Sequence, residues 1–257
     1  MKVLCLGGGP AGLYFAISMK LRDPSHDVTV LERNRANDTF GWGVVLSDDA
    51  LSRMQKNDPK STQAIRDNFV YWDDIAVVHN GARTVSGGHG FAGIGRKAML
   101  ILLQSRARDL GVELKFETEF KSAEAYRKDY DLVVACDGIN SLVRREYADV
   151  FKPEIDTRRC KFVWLGTHQK FDDDFTFIFE KTERGWVWAH IYQFDAETAT
   201  FIVECPRPGT AGALKDYRKR KRSQPASASS RRIWAAIALC RTRRICAVRR
   251  CGCSFRA

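Results

Sequence analysis

The N-terminal run MKVLCLGGGPAGLYFAISMK, followed by VTVLE, constrains this chain more than any other stretch. Residues 2–6 are mostly apolar and read as a buried strand. Gly7, Gly9 and Gly12 fall on the G-x-G-x-x-G spacing, and a helical run follows from Gly12 to about Leu21. Residues 28–31 read as a second strand, with Glu32 at its carboxyl end. Each part has a physical role. Gly7 permits the tight turn, Gly9 lets backbone amides approach a pyrophosphate, and Gly12 lets the helix pack closely on the sheet. The helix N-terminus offers free N–H groups and a positive dipole end to phosphates. Glu32 can accept hydrogen bonds from a ribose diol. Glycine spacing alone would fit a coincidental turn. The full succession of strand, loop, helix, strand and acid points to a dinucleotide site.

A secretory signal is the competing reading of the first twenty residues. Three consecutive glycines and Pro10 interrupt its apolar run, and no small-residue cleavage site follows cleanly. No stretch reaches the length of apolar chain needed to span a bilayer. The expectation is a soluble, cytoplasmic protein with no membrane partner.

The 257 residues carry a formal charge of +11, but the excess is local. Residues 215–257 hold 14 Lys and Arg against one acid, Asp216, leaving 28 basic and 30 acidic side chains in the body. The body therefore gives no electrostatic reason to bind nucleic acid. Cys5, Cys136, Cys160 and Cys205 are scattered, while Cys240, Cys246, Cys251 and Cys253 crowd the end at gaps unlike paired zinc knuckles. No metal site is expected.

Residues 34–48 read as a polar, glycine-containing loop around Trp42, and 49–69 as helix broken near Asp58-Pro59. Residues 75–79 and 83–86 can form a hairpin across Asn80-Gly81. Residues 87–95 are glycine-rich, 97–110 form an amphipathic helix ended by Gly111, and 112–117 a strand. Residues 131–136, DLVVAC, read as a parallel strand buried on both faces. Four alternating strands follow, at 162–167, 175–180, 186–194 and 200–205, and suggest an antiparallel sheet. On them Phe175, Phe177 and Phe179 share a face, as do Trp186, Trp188, His190, Tyr192 and Phe194. The fold class is α/β: a Rossmann-like dinucleotide-binding domain with a parallel sheet, continued into an antiparallel sheet; the resemblance set out below makes these an FAD/NAD(P)-binding domain and a substrate domain. The expected division is 1–155 with a hairpin insertion at about 70–95, then 156–205, then a basic tail at 206–257.

Asp137-Gly138, followed by Ser141 and Arg144, carries the second chemical signal. An Asp at the carboxyl end of a parallel strand faces the ligand crevice, Gly138 admits a ligand to the backbone, and Arg144 can orient a phosphate or carboxylate. The plainer reading is an Asp-Gly turn and a surface arginine. GGGPAG, the acid in LER, the arginine opening GRKAMLILL, and ACDGINSLVR together resemble the para-hydroxybenzoate hydroxylase-like flavoprotein monooxygenases. TFGWGVVLSD, GGHGFAGIGRK, FVWLGT and FTFIFE are closer to the branch that hydroxylates aryl-CoA thioesters. The resemblance covers residues 1 to about 205.

That resemblance implies FAD as cofactor, NADH or NADPH as co-substrate, and an aromatic small molecule, carried as a CoA thioester, as substrate. It implies that Gly7, Gly9, Pro10, Ala11, Gly12, Glu32 and Arg33 hold the ADP half of FAD. Arg96 would contact the flavin nucleotide. Asp137 and Gly138, with Arg144 nearby, would serve FAD and the reducing nucleotide. No catalytic side chain is assigned. The family's later Gly-Asp motif has no counterpart after Cys205, so a flavin-binding fragment without turnover is the alternative.

His89 in its glycine-rich loop is either near the chemistry or locally hydrogen-bonded. The aromatic strand face is either a substrate wall or core. The tail reads as disordered or as an out-of-frame coding stretch, with nucleic-acid binding resting on its charge alone.

Overall fold

The computed structural model describes residues 1–157, 160–168, 171, 173–182, 185–206 and 247–248. The tail expectation falls outside the described residues, apart from Pro206 and the two-residue strand at 247–248. In chain order the elements are β1 (Lys2–Leu6), α1 (Pro10–Arg22), β2 (Asp27–Leu31), β3 (Gly43–Ser47), α2 (Asp48–Asn57), α3 (Pro59–Arg66), β4 (Val70–Trp72), β5 (Ile75–His79), β6 (Ala82–Ser86), β7 (Phe91–Gly95), α4 (Arg96–Asp109), β8 (Glu113–Lys115), β9 (Leu132–Ala135), α5 (Leu142–Glu146), α6 (Ala148–Phe151), β10 (Cys160–Thr167), β11 (Phe175–Thr182), β12 (Gly185–Gln193), β13 (Ala199–Pro206) and β14 (Ala247–Val248). Two compact units form: Met1–Thr39, Asp49–Asn68 and Lys97–Asp156 make the first, and Phe40–Asp48, Phe69–Arg96 and Thr157–Ala257 the second. Where the sequence suggests one insertion at 70–95, the chain contacts also group residues 40–48 with the second unit.

The first unit is built on a parallel sheet in the order β8-β2-β1-β9. Val3, Leu4, Cys5 and Leu6 are fully buried, as a strand covered on both faces requires. Leu13, Ala16 and Ile17 of α1 recur at helical spacing and are buried with them. Leu4 and Leu6 join Leu31, Ala123 and Val143 in one cluster. Burial pushes the Cys5 thiol up to about 12, reinforced by Cys136, so this thiol is inert. β9 departs from the sequence reading. It is the edge strand among the described residues, and Leu132 is 36% exposed with Val133 and Val134 half-buried. An unbroken apolar run is therefore not enough to place a strand centrally.

The second unit holds a sheet in the order β14-β10-β13-β12-β11-β5-β6 and a second one in the order β3-β7-β4. The four expected strands pair antiparallel, and the β5-β6 hairpin turns at Asn80-Gly81. The hairpin joins them through a parallel pairing of β5 with β11, Phe175 to Phe179 against Ile75 to His79. The sheet is thus mixed. Strands β3 and β7 lie in stretches that read as loops. Their glycines reflect close layer packing: a Cβ on Gly93 would sit 2.7 Å from the Trp72 ring, and one on Gly43 2.5 Å from Phe194.

The buried face of the mixed sheet is its aliphatic one. Val78, Leu165, Ile178, Ala189, Ile191 and Phe201 form its core cluster. On the opposite face Phe162 is 45% and Trp186 42% exposed, and Phe177, Phe179, Trp188 and His190 are half-buried.

Candidate functional site

The turn after β1 is shaped by three glycines with different jobs. Gly7 has φ +117°, and a Cβ there would overlap the Cys136 carbonyl. A Cβ on Gly12 would overlap the Gly7 carbonyl oxygen. Gly9 is different: a Cβ would meet nothing within 4 Å, and its φ of −73° and ψ of 179° suit any residue. Gly7 and Gly12 are therefore fixed by protein packing, while Gly9 fronts open space. No side chain caps α1, and its first turn contains no acid. Leu13 N–H bonds the Gly9 carbonyl, but Ala11 and Gly12 N–H lie too early in the helix for an intrahelical acceptor. An uncapped helix start facing open space fits a pyrophosphate.

Glu32 is held at this opening. Its Oε2 accepts Gly8 N–H at 2.9 Å, and its Oε1 accepts Asn34 N–H at 2.8 Å and Asn34 Nδ2–H at 2.7 Å. Gly8 and Asn34 were not singled out from sequence. The available signal was the middle glycine of GGG, which the G-x-G-x-x-G spacing does not require. A Cβ on Gly8 would lie 2.8 Å from the Glu32 Cβ. Arg33 is exposed, and Pro10 and Ala11 open α1. Glu32→Ala is expected to weaken FAD binding by about 1–3 kcal/mol, the scale of charge-assisted hydrogen bonds, and to lower the melting temperature. Asn34→Ala, which leaves the carboxylate, should do less. Flavin titration and thermal melts check both.

The Asp137 loop lies beside this turn. Cys136 N–H bonds the Leu6 carbonyl at 2.9 Å, and a Cβ on Gly7 would lie 3.1 Å from Asp137 N. The structure thus joins the two sequence motifs at the carboxyl ends of neighbouring parallel strands. Asp137 Oδ2 accepts Leu142 N–H at 2.5 Å and Val143 N–H at 3.3 Å, so one carboxylate oxygen caps the short helix α5. Gly138 has φ +79° and open space around it. Arg144 Nη2 donates to the Ile139 carbonyl at 2.5 Å, bracing the loop, while its buried Nε has no hydrogen-bond partner among the described residues.

Arg96 opens α4 and belongs to the second unit, where its N–H bonds the Trp42 carbonyl at 2.7 Å. The segment 41–43 lies across the aromatic sheet face. Trp42 covers Gly166, Gly41 packs on Trp164, and Gly43 is clamped by Thr200 Oγ1 on its N–H (3.0 Å) and the Tyr192 hydroxyl on its carbonyl (2.7 Å). Trp72 stacks on Tyr192 at 6.0 Å, and the rings continue through Phe175 (5.3 Å), Phe177 (4.5 Å further) and His190 (5.1 Å further). Covered at the Tyr192 end and open beyond Phe177, this face combines both readings made from the sequence. His89 is tied down locally: its Nε2 lies 2.9 Å from Ser86 Oγ and its ring stacks on Phe91. The flanking Gly88 and Gly90 N–H groups bond the Asp73 carboxylate.

No family model matches the chain. Over 216 residues it is 44% identical to the salicyloyl-CoA 5-hydroxylase of a Streptomyces species, a match covering 84% of this chain and 41% of that protein. Its similarity to hydroxylases and monooxygenases thus runs over most of its own length. It is 32% identical over 209 residues to protodeoxyviolaceinate monooxygenase of Chromobacterium violaceum, covering 80% of this chain and 55% of the relative. It therefore spans only about half the length of these relatives, or less. The fold matches PqsL of P. aeruginosa, solved with 2-aminobenzoylacetate, at TM-score 0.69 and 19% identity, over 97% of this chain and 73% of that one. No helix among the described residues is long and apolar enough to cross a membrane.

Proposed function

We propose that this chain is the nucleotide-binding and substrate-sheet part of an FAD-dependent monooxygenase that hydroxylates an aromatic ring carried as a CoA thioester, with NADH or NADPH and O₂. The observation that carries this reading is the glycine turn. Gly9 leaves open space in front of an uncapped helix start, and Glu32 is oriented at the same opening. Those are the features a dinucleotide needs. Gly7, Gly9, Pro10, Ala11 and Gly12 would hold the pyrophosphate, with Glu32 on the ribose and Arg33 at the rim. Arg96 would reach the flavin nucleotide. Asp137, through its remaining oxygen, and Gly138 would serve FAD and the reducing nucleotide, with Arg144 bracing their loop.

When bound, FAD supplies the redox chemistry by which electrons from the pyridine nucleotide activate oxygen. The protein binds, orients and excludes water. The rings from Tyr192 to Phe177 offer a flat apolar surface for an aromatic group. The 44% identity to a salicyloyl-CoA hydroxylase favours an acyl-CoA substrate over a free acid.

The test compares 2-hydroxybenzoyl-CoA and 2-aminobenzoyl-CoA with the corresponding free acids, by binding to the FAD-loaded protein and by nucleotide oxidation. The thioesters should bind at least about tenfold more tightly, a difference of 1.4 kcal/mol. Preference for the free acids would overturn the thioester reading and leave the broader hydroxylase class.

A further inference from the structure

The aromatic face of the mixed sheet changes character along its strands. Tyr192 is buried at one end, whereas at the other, where β12 begins, Trp186 is 42% exposed. The Trp186 ring lies 5.5 Å from the His79 ring of β5. Lys181 of β11 is the register partner of Trp186, so the two side chains leave the sheet on the same face. Lys181 is exposed, and no carboxylate among the described residues pairs with it. Glu204 stands two strands from β11, with an oxygen 3.7 Å from His190 Nε2. Val77 and Phe162 share the face and are 38% and 45% exposed. A tryptophan, a histidine and an unpaired cation thus meet at the edge of an open apolar surface, the composition of an interaction site.

We infer that this end of the face seats the nucleotide of the CoA carrier: its adenine stacks on Trp186, and the Lys181 ammonium pairs with its phosphates. The inference rests on the thioester reading above and says where the carrier goes. Three observations support it. His79 packs against the Trp186 indole and limits its rotation, and a held indole is a stacking platform for a base. Lys181, a compact charge with three donors, suits phosphate oxygens, and no described carboxylate competes for it. The third is continuity. Phe177 and Phe179 of β11 and Trp188 of β12 carry the aromatic surface from Phe175 towards Trp186. Trp186 and Tyr192 are the ends of this run on β12, about 20 Å apart at the rise of a strand. CoA thioesters are long molecules of matching polarity, with the acyl group at one end, a slender pantetheine arm, and an anionic nucleotide at the other. An aromatic acyl group against Phe175 and Phe177 would send the arm over Phe179 and Trp188 and bring the nucleotide to Trp186 and Lys181. A free aromatic acid has no part that reaches this end.

The test is a binding comparison on the full chain with FAD in excess, so that the glycine turn is occupied, and it needs no turnover. The probes are 2-hydroxybenzoyl-CoA, the same acyl group on pantetheine alone, and the free acid, each followed by equilibrium dialysis. The CoA thioester should bind at least about tenfold more tightly than the pantetheine thioester, because only it carries the base and phosphates. Trp186→Ala should weaken the CoA thioester by about fivefold or more, the lower end of what a stacked base contributes, and Trp186→Phe by less. Lys181→Met should weaken it and reduce its dependence on salt. None of the three variants should move the pantetheine thioester by more than about twofold, and thermal melts of each check that the sheet is intact. If the two thioesters bind equally and more tightly than the free acid, or if the variants weaken both alike, the inference is overturned and the thioester reading stands. If neither thioester binds more tightly than the free acid, both fall.

Discussion

Gly9→Val is expected to abolish FAD uptake while leaving the protein folded, and Gly12→Val to do the reverse in order: unfold the first unit and lose the flavin as a consequence. The contrast follows from the space around the two residues. Gly9 has an extended backbone that valine adopts without strain, and its side-chain direction meets no protein atom within 4 Å. The only protein-side cost is a poorer N-cap, about 1 kcal/mol. The added isopropyl group would instead fill the approach to the N–H groups of Ala11 and Gly12. Losing the pyrophosphate contacts should weaken FAD by at least about a hundredfold, near 2.7 kcal/mol. At Gly12 the Cβ overlaps the Gly7 carbonyl, which α1 cannot leave without giving up the contacts of Leu13, Ala16 and Ile17. Flavin fluorescence titration paired with thermal melts separates the cases. Flavin binding by Gly9→Val at parental affinity would remove the nucleotide site from this turn.

Much of the framework was legible because local chemistry and tertiary demand agreed. The first βαβ unit combines a continuous apolar strand, a glycine turn and Glu32 at the expected place. The break at Asp58-Pro59, the Asn80-Gly81 hairpin and the helix ending at Gly111 each depend on a residue with a strong backbone preference. The misreadings arose where contacts across the fold decided. Gly43 and Gly93 look like loop residues, yet they are in strands where another layer comes too close for side chains. The apolar run before Asp137 gives no sign of which strands will flank it, and among the described residues it forms an edge. Alternation showed that the β12 side chains divide into two faces. It could not tell that the smaller Val187, Ala189 and Ile191 would be the buried set, while on the other face Trp186 is exposed, Trp188 and His190 are half-buried and only Tyr192 is buried at the covered end.

The candidate site shows the same division. Spacing identified Gly7, Gly9, Gly12 and Glu32, but only coordinates separate the two packing glycines from the one facing open space. They also show Asp137 spending one oxygen on α5, and Arg144 bracing its own loop. Hydrogen-bond partners distant in sequence, such as Gly8 N–H with the Glu32 carboxylate or Arg96 N–H with the Trp42 carbonyl, leave no periodic trace.

Arg106→Met should strongly destabilise the first unit although it touches no proposed ligand contact. Asp58 immediately precedes α3, is 1% exposed, and accepts two hydrogen bonds from Arg106, Nε to Oδ2 and Nη2 to Oδ1, both at 2.9 Å. Ser61 Oγ adds a third at 2.5 Å. Removing the guanidinium strands a buried carboxylate, which typically costs about 3–5 kcal/mol, a large part of the 5–15 kcal/mol that holds a domain together. Asp58→Asn should cost less, because Arg106, 15% exposed, can turn towards water. The double variant Asp58→Asn/Arg106→Met should recover much of the loss, since neither charge is then buried alone. Burial raises the Asp58 carboxyl, but the hydrogen bonds from Arg106 and Ser61 and the Arg106 charge outweigh it, so its folded value lies below the ordinary one. A depressed carboxyl contributes stability that is fully present above the unfolded value of about 3.9 and is lost as pH falls through the lower folded value. Urea denaturation from pH 7 down to pH 3 should therefore show the gap between parent and Asp58→Asn narrowing only below about pH 4. An Arg106→Met protein within about 1 kcal/mol of the parent at pH 7 would mean that Asp58 finds water or another partner, and that this bidentate pair does not hold α3 against α4.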